Sequence, residues 1–406
     1  MGISVAVRRV RTLIAVATAA VVTGLGGVAS VSAAYQYTPV ADSTGNFGTN
    51  SFADYALGNN GHVVFANFRD DGQNSINRWN GSSLETIAVT GPAVPGWSTA
   101  LHAPTVNAAG QVAFTGVRVS SEPAGYVGAY RAEPGGAVTT ISEAPAVIGG
   151  PGYEIGTDIN AAGTVAYQRM DSTTRGIYTR SGAGAEQTIF AGANADTLGW
   201  WSINNSGHVA IAGVIGGVRG VWKGTGNGIL NPIAAGNFTG VRTPIIDDAG
   251  NVTFGATLTN GTAGVYRGDG SGGLTTLADT SSGAYVANAS AFSRTSANDD
   301  GDVAFQAIPT AGSGTAIYFL PDGADAADAQ RVIGAGDALF GGIVDLVLLA
   351  PRGLNDSDEI AFMYRLALQD GQTEKTWGVA VAAVPEPGSC LAVSLLALAA
   401  LHRRRR

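Results

Sequence analysis

Seven times along this chain an apolar run breaks at a short polar turn and resumes as alternating large and small apolar residues. Residues 57–65, 106–114 and 159–167 are variants of one unit, in which Asn-x-x-Gly precedes Val-Val-Phe, Val-Ala-Phe or Val-Ala-Tyr. The unit returns around Asn204 and Gly207, Asp247 and Gly250, Asn298 and Gly301, and Asn355 and Asp358. Gly58 stands at the first Asn position, Asp247 at the fifth, and Asp358 at the last glycine position. From Gly61 to Asp358 the spacings are 49, 53, 44, 43, 51 and 57 residues, a period that signals a repeat architecture. Asn or Asp can bond its own backbone two residues on, and the glycine supplies positive φ. The large-small-large run then predicts a half-buried strand. An aromatic follows each strand after 11 to 16 residues: Trp79, Tyr130, Tyr178, Trp222, Tyr266, Tyr318 and Trp377. A second strand is expected there.

The fifth copy predicts a whole module, with strands at 243–247, 251–259, 264–269 and 274–278 joined by Gly- and Asn-rich turns. A four-stranded antiparallel meander of this length has the size of a propeller blade. The expected fold is therefore all-β, a seven-bladed β-propeller of four-stranded antiparallel blades over residues 35–384. A parallel solenoid is the second architecture that such turn density serves. In the seventh copy the strands near 360–368 and 376–383 run into Val384-Pro385, leaving no room for a fourth. Residues 35–41 precede the first blade and are expected to supply that missing outer strand, closing the ring and removing two open edges.

The two ends read as addresses. Arg8, Arg9 and Arg11 precede an apolar stretch from Leu13 to about Val31 and small residues at 31–34, the layout of a secretory signal peptide over 1–34. At the other end, Val384-Pro385-Glu386-Pro387 is followed by an apolar run at 390–401 and by Arg403, Arg404, Arg405 and Arg406. Each proline fixes φ and biases its predecessor toward extended geometry, which suits a protease substrate, while the arginine block stays on the cytoplasmic side. The apolar run is short for a span of about 20 residues. This tripartite tail, 385–406, resembles the PEP-CTERM sorting signal. The resemblance implies recognition and cleavage by an exosortase-type membrane protease, after transient anchoring by a short hydrophobic helix. The body is similar to Asn-x-x-Gly-x-Val-Ala-Phe repeat proteins often joined to such tails. That likeness implies a propeller-like fold and a surface location, and carries over no catalytic residue.

Setting the two addresses aside changes the charge picture. Residues 35–387 hold 16 basic and 31 acidic residues, a formal net charge of −15, which disfavours nucleic acid and anionic membrane surfaces as partners. Glycine, at 59 of 406 residues, is about twice its usual share, as dense turns require. Cys390 is the only cysteine, so no intramolecular disulfide forms; beside the membrane segment, burial is the expected role.

Candidate chemistry is sparse. His62, His102, His208 and His402 are the only histidines: His62 and His208 follow turn glycines, His102 lies between units, and His402 is in the tail. No nucleophile elbow, zinc helix or phosphate loop is present, so no catalytic, cofactor-binding or metal-ligating residue is singled out. Residues 298–302 and 355–359 concentrate the oxygen ligands that calcium takes, yet Asx turns want the same residues. The recurring aromatics are expected to pack between sheets, leaving Trp97, Trp200 and Trp201 as candidates for exposed contact. The expectation is an exported, noncatalytic cell-surface or matrix protein that binds polysaccharide or protein. The alternative is a secreted hydrolase or lyase acting on glycans at the propeller mouth.

Overall fold

Each turn unit closes a hairpin between the two innermost strands of one antiparallel sheet. In the fifth copy strand Phe238–Ile246 pairs with Val252–Leu258, which pairs with Ala263–Gly268 and then with Leu274–Asp279. The first of these starts five residues earlier than the pattern predicts. Register shifts around Gly240 and Pro244 let the chain bend and still pair, so apolar alternation stops before the strand does.

The computed structural model describes residues 35–384 apart from 45–46, 70–71, 91–96, 119–125, 146–155, 171–173, 194–195, 289, 313, 369–370 and 372. The sheets span 47–89, 97–145, 157–193, 197–235, 238–279, 292–334 and 342–383, which we call blades one to seven. The described chain is thus a seven-bladed, all-β propeller of four-stranded antiparallel blades, with only two single 3₁₀ turns. The seventh blade carries one short extra strand, Ala338–Leu339, hairpinned onto its inner strand. The signal segment 1–34, Cys390, His402, the apolar run, Pro385, Glu386, Pro387 and Arg403 to Arg406 lie outside the described residues. Among the described residues no helix is long and apolar enough to cross a membrane.

Strand Gln36–Asp42 lies antiparallel against Trp377–Ala383 and completes the seventh blade, as the pattern of the ends predicts. Tyr37 fastens it: its hydroxyl donates to the Val332 carbonyl at 2.7 Å and its ring meets Phe362 edge-on.

The large-small-large alternation has a different cause from a half-buried strand. In blade two Val112 and Phe114 pack with blade one, while Ala113 packs with blade three; all three are fully buried. In blade three Val165 and Tyr167 face blade two, and Ala166 faces blade four. The alternation therefore separates two apolar interfaces, with large side chains filling the gap on one face and alanine letting the next blade approach. Burying one such Val or Phe contributes about 1.5–3 kcal/mol.

The aromatic landmarks correct in part. Tyr130, Tyr178, Trp222, Tyr266 and Tyr318 sit opposite the third residue of the run in blades two to six, with Phe305 and Tyr318 stacked at 5.4 Å. In blade one Phe65 faces Asn77 and Trp79 is two residues on. In blade seven Phe362 faces Ala380, and Trp377 lies against the Arg365 guanidinium. Spacing from the turn counted hairpin length there, not register.

Candidate functional site

The repeat asparagine does two jobs. Its Oδ1 caps the turn that follows, as when Asn204 Oδ1 accepts from the His208 amide at 2.9 Å. Its Nδ2 donates to the backbone carbonyl of the same position in the next blade. Asn107 reaches Asn160 at 3.0 Å, Asn160 reaches Asn204 at 3.1 Å, Asn204 reaches Asp247 at 2.9 Å, Asn298 reaches Asn355 at 3.2 Å and Asn355 reaches Gly58 at 3.3 Å. Aspartate can cap but has no such donor, and Gly58 has no side chain to offer. Asp358, at the position where the other copies have glycine, takes φ +58°.

The residue after the asparagine builds a second ring. Amides of Ala161, Asn205, Asp248, Asp299 and Asp356 donate to the side-chain oxygens of Asn205, Asp248, Asp299, Asp356 and Asn59 in turn, at 2.8–3.3 Å. These residues line a narrow cavity of about 80 Å³ on the turn face of the ring. Crowding by the surrounding turns, then repulsion from Asp248 and Asp356, pushes the Asp299 carboxyl up to about 6 although the residue keeps exposed surface. Burial likewise raises Asp356.

The carboxylates read as calcium candidates are engaged in this framework. Asp302 Oδ1 accepts from the Asp322 amide and Asp299 Oδ1 from the Asp248 amide. Among the described residues no three acidic, histidine or cysteine side chains are grouped to hold a metal ion.

The opposite face opens wider, onto a cavity of about 310 Å³. Four residues before each turn asparagine position, every blade contributes one residue to its lining: Asp54, Ala103, Gly156, Trp200, Thr243, Arg294 and Pro351. The seven repeats agree where they build the ring and differ completely here. Comparing the copies position by position finds this set; looking for shared motifs hides it.

Trp200 is 49 % exposed at this mouth. Its neighbour Trp201 is buried, donates from Nε1 toward the Ala166 carbonyl, and packs so closely that a Cβ on Gly156 would stand 2.7 Å from its ring. Trp97 is half-buried, its ring 4.7 Å from Tyr130 and 5.3 Å from Phe114. Of the three tryptophans that are candidates for an exposed contact, Trp200 is exposed; the other two fill gaps between blades.

Three arginines, Arg242, Arg294 and Arg352, and two aspartates, Asp54 and Asp158, also line the mouth. Asp54 accepts from the Ala103 amide at 2.9 Å, and Ala103 adopts φ +47° there. Asp158 is buried and accepts from the amides of Ile159 and Ile203 and from Arg352. Burial raises its pKa, while Arg352 and the amides pull it back. Arg294 donates to the Leu349 carbonyl at 3.1 Å.

The histidines contribute elsewhere. His62 Nδ1 lies 3.1 Å from Asn60 Nδ2 on the turn face, and burial and Arg78 lower its pKa. His102 belongs to the inner strand of blade two, Trp97–Val106, and is not a connector.

Residues 203–323 match a family of unknown function (DUF7453), a stretch running from the end of the fourth inner strand into blade six. No curated protein sequence matches the chain. Among solved structures it is similar to an oligogalacturonate lyase in complex with manganese, at 10 % identity and TM-score 0.53 over 87 % of this chain and 97 % of that one. It is also similar to virginiamycin B lyase from Staphylococcus aureus, at 12 % identity and TM-score 0.50 over 86 % of this chain and 99 % of that one. The lectin BP39L from Burkholderia pseudomallei follows at 12 % identity and TM-score 0.48, covering 83 % and 97 %. At such identities the likeness to the two lyases is one of fold.

Proposed function

We propose that this chain is an exported, noncatalytic binding propeller of the cell surface or extracellular matrix, which takes polysaccharide at its wider mouth. In this reading the chain is delivered by its N-terminal signal and processed through Val384-Pro385-Glu386-Pro387 by an exosortase-type membrane protease. The observation that carries the binding role is Trp200, a large apolar face left exposed at a cavity where the seven repeats differ from one another. Trp201 and Trp222, in contrast, are buried. A glycoside hydrolase of the two-carboxylate kind needs carboxyl groups available to substrate. Asp54 and Asp158 instead hold backbone amides and Arg352.

A glycan array probed with the full chain tests the reading, followed by incubation of each captured glycan and chromatography of the products. Retention that is lost in Trp200→Ala, with the glycan recovered at its original length, is the expected result. Shortened or unsaturated products would make the enzyme reading correct. Absence of any glycan capture would end the polysaccharide assignment.

A further inference from the structure

The wider cavity is walled by hydrogen bonds that pass from one inner strand to the next. Arg294 of blade six donates to the Leu349 carbonyl of blade seven, and the Tyr55 hydroxyl of blade one donates to the Leu348 carbonyl beside it at 2.6 Å. The Ala103 amide of blade two donates to Asp54, and its carbonyl accepts from Thr157 Oγ1 of blade three at 2.9 Å. The Ile203 amide of blade four donates to Asp158 at 2.8 Å. Six blades are joined in this way, and they leave no slot through which a bound chain could pass sideways. Ala103, gripped from both neighbours, is held at φ +47°, a conformation that persists only where the surroundings impose it.

The wall has a floor. Arg352 lines both cavities and reaches from blade seven to Asp158 of blade three and, at 2.7 Å, to the Ile203 carbonyl of blade four, so it bars the way from the wide cavity into the narrow one. What remains is a well of about 310 Å³ with one opening and with Trp200 exposed in its lining. That volume lies at the small end of ligand pockets and holds roughly one or two sugar rings. In blades one, two, four, five and seven the register shifts across the lining position, so the residue there stands outside the ladder and can change without breaking the sheet.

We infer that the wider mouth takes the end of a glycan chain, about one or two terminal sugar rings, and not a stretch from its middle; the inference rests on the binding role proposed above. A chain held by its middle must both enter and leave, which needs a groove open at two ends. A well with one opening admits only a terminus. The exposed Trp200 face suits the apolar C–H face of a pyranose ring as it enters. The lining residues that stand outside the ladder then select which terminal sugar fits.

Isothermal titration calorimetry on the full chain tests this with linear oligomers of α-1,4-glucan, α-1,6-glucan, β-1,3-glucan and α-1,4-galacturonan, graded from dimer to sixteen-mer. Where none of the four binds, the series is made from the glycan captured on the array. The association constant per mole of oligomer should level off by the tetramer and change less than about 2-fold from there to the sixteen-mer. Binding to internal stretches predicts a rise of about 5-fold or more over that interval, because the number of registers grows with length. Such a rise would overturn the inference and leave the polysaccharide reading standing. Trp200→Ala should weaken every length by the same factor, about 10-fold or more; an unchanged affinity would place the site elsewhere and overturn the assignment. Borohydride reduction of the terminal ring tells the two ends apart: a loss of binding assigns the reducing end, full binding the other, and either supports the well. Capture of no glycan at all would overturn both this inference and the polysaccharide reading on which it rests.

Discussion

Arg352 and Asp158, 194 residues apart in sequence, meet in an ion pair across the ring. They belong to the inner strands of blades seven and three, and the same Arg352 nitrogen also donates to the Ile203 carbonyl of blade four at 2.7 Å. Arg352 lines both the narrow and the wide cavities, so the pair stands between them. It ties blade seven to blades three and four, neither of which is its neighbour in the ring.

Removing one partner strands the other. Arg352→Met leaves the Asp158 carboxylate buried with only backbone amides, and should lower unfolding free energy by about 3 kcal/mol. Adding Asp158→Asn removes the stranded charge and keeps an acceptor for Ile203, so the double variant should recover part of that loss. Urea unfolding of the two single variants and the double variant measures the coupling; strictly additive losses would mean the pair is not a unit.

Blades five and six are mirror solutions to one problem. In blade six Asn298 Nδ2 donates to Asp302 and to Asn355, whereas in blade five Asp247 accepts from both the amide and Nδ2 of Asn251. Exchanging the pair, with Asp247→Asn and Asn251→Asp together, should supply the missing donor toward the Asn298 carbonyl and stabilise the ring by about 1 kcal/mol. Asn204→Asp should do the reverse, costing about 1–2 kcal/mol by deleting the donor that reaches Asp247. Chemical denaturation checks both, and equal signs would refute the role of Nδ2.

Asp299 links stability to pH. Its folded-state pKa, about 6, lies above its ordinary value of 3.8, so the native state holds this proton more tightly than the unfolded chain. The stabilisation it contributes is fully present below about pH 4 and lost as pH rises through about 6. Asp299→Asn retains the acceptor for the Asp248 amide and removes the charge. Its melting temperature should exceed the parent's by roughly 1–2 °C near neutral pH, a screened contribution of about 0.5 kcal/mol. Calorimetric scans should show that gap closing toward about pH 4.

Deleting residues 35–42 should do more than trim a terminus. It unpairs the ladder from Gln36↔Ala383 to Asp42↔Gly378, removes the Tyr37 bond to Val332 and opens a strand edge. A loss on the order of 5 kcal/mol is expected from several ladder bonds at about 1 kcal/mol each. Thermal unfolding should drop accordingly, with concentration-dependent association in light scattering. A melt equal to the parent's would show that the ring does not need this latch.

Changing Pro385, Glu386 and Pro387 to alanine should leave an uncleaved chain in the inner membrane, while the unaltered protein is released or passed outward. Mass spectrometry of the mature C-terminus in the native host is the measurement. Unaltered mature protein still ending in Arg403 to Arg406 would make the tail a plain anchor.

Local chemistry made the hairpins legible in the sequence. Positive φ at glycine, Asx capping and strand alternation act within about ten residues, so seven turns and the lack of a fourth strand in the last copy could be read directly. That shortage, with a spare strand at 35–41, sufficed to place the closing strand. Positions set by register were not legible: Trp79 and Trp377 keep the landmark spacing and miss the landmark site, because hairpin length places Asn77 opposite Phe65 and Ala380 opposite Phe362 instead. The second role of asparagine was hidden for another reason, since its Nδ2 partner lies 43 to 57 residues away, or 297 for the Asn355–Gly58 pair. The mouth was hidden most fully. Trp200, Arg294 and Thr105 share no motif and belong to separate blades; only closure of the ring, driven by burial between adjacent sheets, brings them to one cavity.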